Sequence, residues 1–198
     1  MPLLSRWLIK RKLLSTWVVW LVVCASCATN SSAALAEPYA QFVQREALSG
    51  HFQPAIEAWL FAKANALRQS KGLPALKSDQ AMSAAARAHA EDMATSGRLG
   101  HVSSSGLDFD SRMRALRAGA LVLPAMGENA AAVTAQASAA ETAQSLFKAW
   151  LASPPHLHTL LSRDYLKVST GVSIVNGKAY ADQIFTGPEV MTNMMRAQ

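Results

Sequence analysis

Residues 168–188 read VSTGVSIVNGKAYADQIFTGP, and this stretch decides the fold class. Positions 168, 170, 172 and 174 are Val, Thr, Val and Ile, and small or polar residues lie between them. This alternation predicts a β-strand. Asn176-Gly177 follows and is a strong signal for a two-residue hairpin turn. We therefore expect a return strand over Ala179–Phe185, which Gly187-Pro188 ends.

The part of the chain before this hairpin has mostly helical periodicity. Apolar residues recur there at steps of three and four, between capping residues and helix-ending Gly or Pro. A strand is expected within residues 120–134. The predicted helices cover about residues 53–72, 79–97, 108–119 and 137–151, with a single turn around 156–161. Helices followed by strands with short connections predict an α+β fold, in which helices pack on an antiparallel sheet.

Residues 1–36 have the features of a secretory signal peptide. A basic cluster within residues 6–12 precedes an apolar run over Leu13–Ala25, and Ala34-Leu35-Ala36 supplies a small-residue cleavage site. The run is shorter than the ~20 residues of a membrane-spanning helix, although an uncleaved anchor is the alternative. Cys27 behind small residues adds the alternative of a lipoprotein signal. We expect a secreted or periplasmic protein, with lipid anchoring at Cys27 as the variant.

The charge balance gives no reason to expect a nucleic-acid partner. The chain has 19 Lys and Arg against 13 Asp and Glu, a net charge of +6, but four of the basic residues and no acid lie in residues 1–36. The remaining net charge is only +2, without a basic patch.

Both cysteines, Cys24 and Cys27, also lie in the leader, so residues 37–198 have no disulfide and no Cys ligand for zinc. A monomeric single domain that depends on its core is expected, with no transmembrane segment after the leader.

Glu128 is the first candidate for chemistry. It lies between Gly127 and Asn129 in an otherwise apolar region, where an unpaired carboxylate would be costly to bury. It could act as a metal ligand or general base, or it could be a structural carboxylate that accepts backbone N–H bonds and pins a loop.

Two histidines flank Glu128 along the chain. His101 follows Gly100 in a loop, and His156 follows Pro154-Pro155. Two imidazoles and a carboxylate suit zinc (Zn²⁺) or another divalent cation with an open position for water. They suit equally well a hydrogen-bonded polar cluster without metal. His89 lies on the apolar face of a predicted helix and is expected in the core.

Several motifs occur in a characteristic order over residues 55–186. They are Ala88-His89-Ala90-Glu91-Asp92-Met93-Ala94, Gly100-His101, Gly127-Glu128-Asn129-Ala130, Ser153-Pro154-Pro155-His156, and the stretch from Tyr180 to Phe185. Together they resemble the CAP superfamily of cysteine-rich secretory, antigen 5 and pathogenesis-related proteins, in its short bacterial branch. The resemblance implies an α-β-α sandwich over residues 55–186, with a small antiparallel sheet between helical layers. Residues 37–54 would form a lead-in and residues 187–198 a C-terminal tail.

The same resemblance implies that His101, Glu128 and His156 line a central cavity, where some family members bind a divalent metal. Other members are described as binding sterols or other lipids, so a lipid or cell-envelope ligand is implied as well. Eukaryotic members carry a second cavity glutamate near the position of Trp150; it is missing here, and Glu141 is too far along the helix to replace it.

Three hypotheses about function follow. The leading one is an exported binding or interaction module for a divalent metal or a small or lipid ligand. The second is a hydrolase in which Glu128 is the general base, and the third is a scaffold without ligand.

Overall fold

The computed structural model describes residues 39–46, 51–117 and 123–188. The predicted leader and most of the predicted tail lie outside these residues. The helices are α1 (39–46), α2 (Pro54–Ser70), α3 (Gln80–Ser96), α4 (Phe109–Leu116), α5 (Ala139–Leu151) and α6 (Pro154–Leu161). The strands are β1 (Lys77–Ser78), β2 (Met126–Thr134), β3 (Lys167–Val175) and β4 (Lys178–Thr186). No helix in the described ranges is both long enough and apolar enough to cross a membrane.

The four strands form one sheet in the order β1-β3-β4-β2. β3 and β4 are the predicted antiparallel hairpin, and β2 pairs antiparallel with the other side of β4. Asn176 and Gly177 both have positive φ, of 49° and 73°, as the type I′ turn of a two-residue hairpin requires. The short β1 differs from the predicted antiparallel arrangement because it pairs parallel with β3. Helix α3 follows β1 directly, so the chain crosses over before it returns to the sheet.

Helices cover both faces of this sheet. Side chains of a strand point alternately to its two faces, and in β4 Ile184 packs with residues of α3 and α4, including Met82 and Met113. Its neighbour Phe185 packs on the other side with Trp150 of α5 and residues of α2 and α6. The predicted α-β-α sandwich is therefore confirmed.

Helix α3 lies unusually close to the sheet at Gly171 of β3. A Cβ atom at this position would lie 2.2 Å from the backbone nitrogen of Arg87. The buried faces of α3 are rich in alanine, and Ala85, Ala86 and Ala88 are all inaccessible to solvent. Small side chains on both partners allow this approach.

The prolines at 154 and 155 do more than end α5. A single turn was predicted after them, but they begin the eight-residue helix α6, because the fixed φ of proline suits the first helical positions. The buried Arg68 of α2 holds the other end of α6. Its Nη1 donates to the carbonyls of Leu160 at 3.0 Å and Ser162 at 2.7 Å, which have no partner further along the helix. Helix α6, which carries His156, is thus fixed to α2.

Candidate functional site

Glu128 is the third residue of β2, the strand at the edge of the sheet. Glu128 itself is therefore not in a loop, and the alternative in which it is a structural carboxylate stays a prediction. Glu128 lies opposite Ile184 of β4, so its side chain belongs to the face that α3 covers. Only 2 % of this side chain is exposed. A carboxylate so deeply buried needs strong partners.

Arg112 and His101 are these partners. Arg112, in α4, donates from Nη2 to Oε1 of Glu128 at 2.6 Å, and Oε2 of Glu128 lies 2.7 Å from Nδ1 of His101. The Arg112 side chain is inaccessible to solvent. Its Nη2 also donates to the backbone carbonyl of His101 at 3.2 Å. The Arg112 guanidinium group therefore fixes both the Glu128 carboxylate and the backbone of His101.

These contacts set the protonation states. Burial raises the pKa of Glu128, but the hydrogen bond with His101 and the charge of Arg112 outweigh burial, and the net shift is downward. The hydrogen bond to Glu128 raises the pKa of His101 against the opposing effect of burial. Glu128 is therefore the ionised group of the cluster, and it favours the protonated form of His101.

Asp182 supplies a second carboxyl group that the sequence interpretation missed. It lies opposite Ala130, so it is a diagonal neighbour of Glu128 on the same face. Asp182 is completely buried, and burial, together with the Glu128 carboxylate, raises its pKa well above the usual range. In the described residues neither of its oxygens has a hydrogen-bond partner. A protonated, neutral Asp182 avoids a second buried negative charge beside Glu128.

A signal for Asp182 was present in the sequence. Tyr180, Asp182 and Ile184 share one face of a strand with apolar neighbours, and an acid on such a face must have a partner. Glu141 forms a capping box with Ser138 at the start of α5, which agrees with its predicted exclusion from the site.

Two further buried side chains, those of Tyr39 and His89, lie near Arg112. Burial raises the pKa of Tyr39 to about 12, although the adjacent Arg112 charge opposes the shift. His89 lies in the core, as its helix face predicted, and its pKa is lowered by burial and by Arg112. Its Nε2 lies 2.9 Å from the carbonyl of Gly100, so the neutral ring donates there. His89 thereby holds the residue that precedes His101.

His156 reaches the same place from the other face of the sheet. It is the third residue of α6, and its ring centroid lies 6.5 Å from that of His101. Its backbone carbonyl accepts from Nδ2 of Asn129 at 3.1 Å, which ties α6 to β2 beside Glu128. Burial and the charge of His101 lower the pKa of His156. The three predicted residues therefore meet around the free edge of β2.

The two remaining histidines, His51 and His158, lie outside this cluster. His158 is exposed, and the side chain of His51 contacts Glu91, with Nδ1 3.2 Å from Oε1. Ser153 precedes α6 as its N-cap.

The comparisons with known proteins agree with this architecture. Residues 61–187 match the model of the CAP family, described as the cysteine-rich secretory protein family. The chain belongs to this family. A comparison with curated protein sequences gives no match.

Solved structures of bacterial CAP proteins share the fold. An extracellular protein containing an SCP domain from Bacillus anthracis has a TM-score of 0.55 at 24% identity, over 69% of this chain and 41% of its own. An outer surface protein from Borrelia burgdorferi has a TM-score of 0.55 at 18% identity, over 66% and 90%. A cysteine-rich secretory protein from Staphylococcus aureus has a TM-score of 0.50 at 20% identity, over 71% and 40%. This CAP chain thus spans about two fifths of the first and third of these proteins.

In this CAP domain the side chains of His101, Glu128 and His156 are not arranged to bind a metal ion. Among the described residues, no group of three or more His, Cys, Asp and Glu side chains could hold one. Arg112 already occupies one oxygen of Glu128, and His101 occupies the other. Zinc bonds to nitrogen of about 2.0–2.1 Å in a tetrahedral site would bring two imidazole rings closer together than 6.5 Å. Binding of a divalent cation stays a prediction for experiment.

Proposed function

We propose that this CAP domain is an exported binding module that takes the polar head group of a small or lipid ligand at His101 and His156. What supports the proposal most is the His101–Glu128–Arg112 arrangement. The imidazole is 52 % exposed, whereas the carboxylate and guanidinium groups that hold it are buried. An exposed donor on a rigid, buried support is typical of a preorganised binding group.

The cluster favours an anionic head group. Glu128 is neutralised by Arg112, and the pKa of His101 is raised. A carboxylate or phosphate oxygen would accept a charge-assisted hydrogen bond from the protonated ring. Leu99 and Val102 flank His101 and are 52 % and 58 % exposed. These two side chains would contact the apolar part of such a ligand.

Two points support export. The predicted leader over residues 1–36 is one of them. The other is that two structural neighbours are described as an extracellular protein and an outer surface protein. Partners beyond the ligand stay unassigned.

Calorimetry with octanoate tests the binding proposal. We expect wild type to bind, and His101→Ala to weaken binding by about tenfold or more, as loss of a hydrogen bond to a charged group does. His158→Ala is the matched control, because His158 is exposed on the same helix as His156. Equal affinities for wild type and His101→Ala would refute the proposal. Zinc chloride titrated into the same proteins tests the metal prediction, and a His101-dependent heat would support it.

A hydrolase is the second candidate, and the His101–Glu128 hydrogen bond favours it. An imidazole oriented by a carboxylate is the usual general base of hydrolases. In this arrangement the unprotonated ring of His101, at a pH above its raised pKa, would activate water. Glu128 would position His101, since both Glu128 oxygens are occupied. A screen of ester and peptide substrates tests this candidate, and hydrolysis that survives His101→Ala would exclude it.

A further inference from the structure

The two edges of the sheet differ in how they are protected. One edge is β1, which is only two residues long. Further along the same side of β3, the amide of Gln53 donates to the carbonyl of Val172 at 3.1 Å, and Phe52 forms a bridge with Ser173. Among the described residues, β2 forms the other edge. Natural edge strands are usually short or bulged, or they carry Lys or Pro. Strand β2 has nine residues, no bulge, no Lys and no Pro.

The register shows which backbone groups of β2 point away from the sheet. The two-residue turn at Asn176-Gly177 makes Val175 and Lys178 a hydrogen-bonded pair. From this pair, bonded and outward-pointing residues alternate along each antiparallel ladder. The β2 residues that bond to β4 are therefore Gly127, Asn129, Ala131 and Val133. The N–H and C=O groups of the residues between them point outward.

The outward-pointing backbone groups in the middle of β2 have no hydrogen-bond partner in the described part of the chain. They belong to Glu128, Ala130 and Ala132. The two ends of β2 differ from the middle. The Met126 carbonyl accepts from the Tyr165 hydroxyl at 3.3 Å, and the Thr134 carbonyl accepts from Nε2 of Gln136 at 2.8 Å. The middle of the edge can therefore pair with another extended backbone.

His101 and His156 close one end of this stretch. His101 holds the Glu128 side chain, which lies on the α3 face, whereas the His156 carbonyl accepts from Asn129, whose side chain points to the opposite face. The two ring centroids are nevertheless only 6.5 Å apart. Packed layers lie ~10 Å apart, so a strand cannot lie between rings at this distance. The rings therefore meet beyond the edge of β2, and a strand added along it from Ala132 must end at Glu128.

The chemistry at this end suits a carboxylate. Nδ1 of His101 is held by Glu128, so Nε2 is the ring atom that is left for a ligand. The outward N–H of Glu128 lies beside it as a second donor, and the charge of the Glu128 carboxylate is balanced by Arg112. An anion is therefore favoured over an ammonium group. A strand that ends here with its carboxyl terminus runs antiparallel to β2, like the other long strand pairs of the sheet.

We propose that β2 binds the last five residues of an extended peptide as an added antiparallel strand, with the terminal carboxylate of the peptide at His101 and His156. The inference rests on the function proposed above, and it identifies the anionic group of that ligand as a peptide C-terminus. Backbone hydrogen bonds to Glu128, Ala130 and Ala132 supply the affinity, as in other cases of β-strand addition.

Calorimetry on the purified full-length chain tests the proposal, with the acetylated pentapeptide Thr-Val-Thr-Val-Ala as probe. We expect the free acid to bind saturably. Its C-terminal amide should bind about tenfold more weakly, because it loses a charge-assisted hydrogen bond. N-methylation of the third peptide residue, whose N–H faces Ala130, should weaken binding about fivefold or more. N-methylation of the second residue, whose N–H points away from β2, is the matched control and should leave the affinity unchanged.

Amide hydrogen exchange followed by NMR tests the register. In the free protein, the outward amides of Ala130 and Ala132 should exchange faster than the amides of Asn129 and Ala131, which bond to β4. Saturating peptide should slow the outward amides by about tenfold or more and leave the others unchanged. Slow exchange of the outward amides in the free protein would show that another part of the chain or a second copy covers the edge, and would overturn the proposal.

Ala132→Pro removes one outward N–H and keeps the bonds to β4, since proline is tolerated at such positions of an edge strand. We expect it to weaken peptide binding about fivefold and to keep the affinity for octanoate. Ala132→Ser retains the N–H and is the control. Thermal unfolding checks that both variants are folded, and if Ala132→Pro is not, the N-methylated peptides carry the test.

The outcomes separate this inference from the proposed function. Binding of octanoate without binding of the peptide overturns the inference alone. Equal affinities of the acid and the amide, or of the two N-methylated peptides, also overturn it. If neither octanoate nor the peptide binds wild type, both proposals fail.

Discussion

Arg112 and Glu128 form an ion pair in which neither side chain is accessible to water, with Nη2 and Oε1 2.6 Å apart. A buried pair of this kind need not add net stability, but removing one member leaves an uncompensated charge in the interior. Helix α4 and strand β2, which supply the two groups, are therefore coupled through this contact. The position of His101 depends on both of them.

Arg112→Met is expected to destabilise the protein by about 3–5 kcal/mol, because it leaves the Glu128 carboxylate buried without its cation. Urea unfolding followed by circular dichroism measures the change. Arg114→Met is the matched control, since Arg114 is exposed on the same helix, and it is expected to change stability by less than about 0.5 kcal/mol. Similar losses in the two variants would contradict a special role for the buried pair.

Asp182→Asn is expected to change the pH dependence of stability. The pKa of Asp182 is raised in the folded protein, so the folded state retains a proton that the unfolded chain releases above about pH 4. The contribution of Asp182 to the stability of wild type therefore falls as the pH rises from about 4 through the folded pKa. Asn does not titrate, so the Asp182→Asn variant does not show this fall. The free energy of unfolding of the variant, relative to wild type, should increase between pH 4.5 and 8. Parallel pH profiles for the two proteins would show that Asp182 is ionised when folded.

The two site histidines are expected to titrate in a fixed order, with the pKa of His101 above that of His156. Glu128 raises the pKa of His101, whereas burial and the charge of His101 lower the pKa of His156. Glu128→Gln should lower the pKa of His101, because it removes the charged acceptor. NMR titration of the ring protons measures both values. Glu141→Gln, in the capping box of α5, is the control and should leave both pKa values unchanged. If Glu128→Gln did not change the pKa of His101, that result would contradict the observed hydrogen bond.

The stability that His101 contributes should fall as the pH rises. Its pKa is raised on folding, so its contribution is complete below the unfolded value of about 6.5 and is lost as the pH passes the folded value. His101→Ala should therefore cost more stability at pH 5.5 than at pH 8. Chemical denaturation at the two pH values gives the comparison.

Gly171→Ala is expected to destabilise the fold by about 1–3 kcal/mol or more, as overpacking does in a rigid interior. The added methyl group would lie 2.2 Å from the backbone nitrogen of Arg87, and a backbone atom cannot move aside like a flexible side chain. Gly100→Ala is the control, since a Cβ there meets nothing within 4 Å and the residue has no positive φ. Equal melting temperatures for wild type and Gly171→Ala would show that α3 can move away from the sheet at little cost.

The sequence by itself determined the elements and their class. Alternation over residues 168–174 and the Asn176-Gly177 turn predicted the hairpin, and helical periodicity with capping residues predicted α2 to α5 to within a few residues. These signals are local, because turn geometry and the period of apolar residues depend on a few consecutive positions. His101, Glu128 and His156 were also chosen from sequence, although it was the family resemblance that grouped them.

Only the tertiary structure decided what surrounds Glu128. Arg112 reaches it from α4, and Asp182 reaches it as a diagonal neighbour across two strands. The strand register and the packing of α4 create these contacts, and no spacing along the chain encodes them. Their electrostatic effects depend on burial, because a carboxylate that would be solvated at the surface must share a proton or find a cation in the interior. The site residues could thus be named from the sequence. Their charge states could be assigned only from the tertiary structure, because the sheet and the helices bury them away from water.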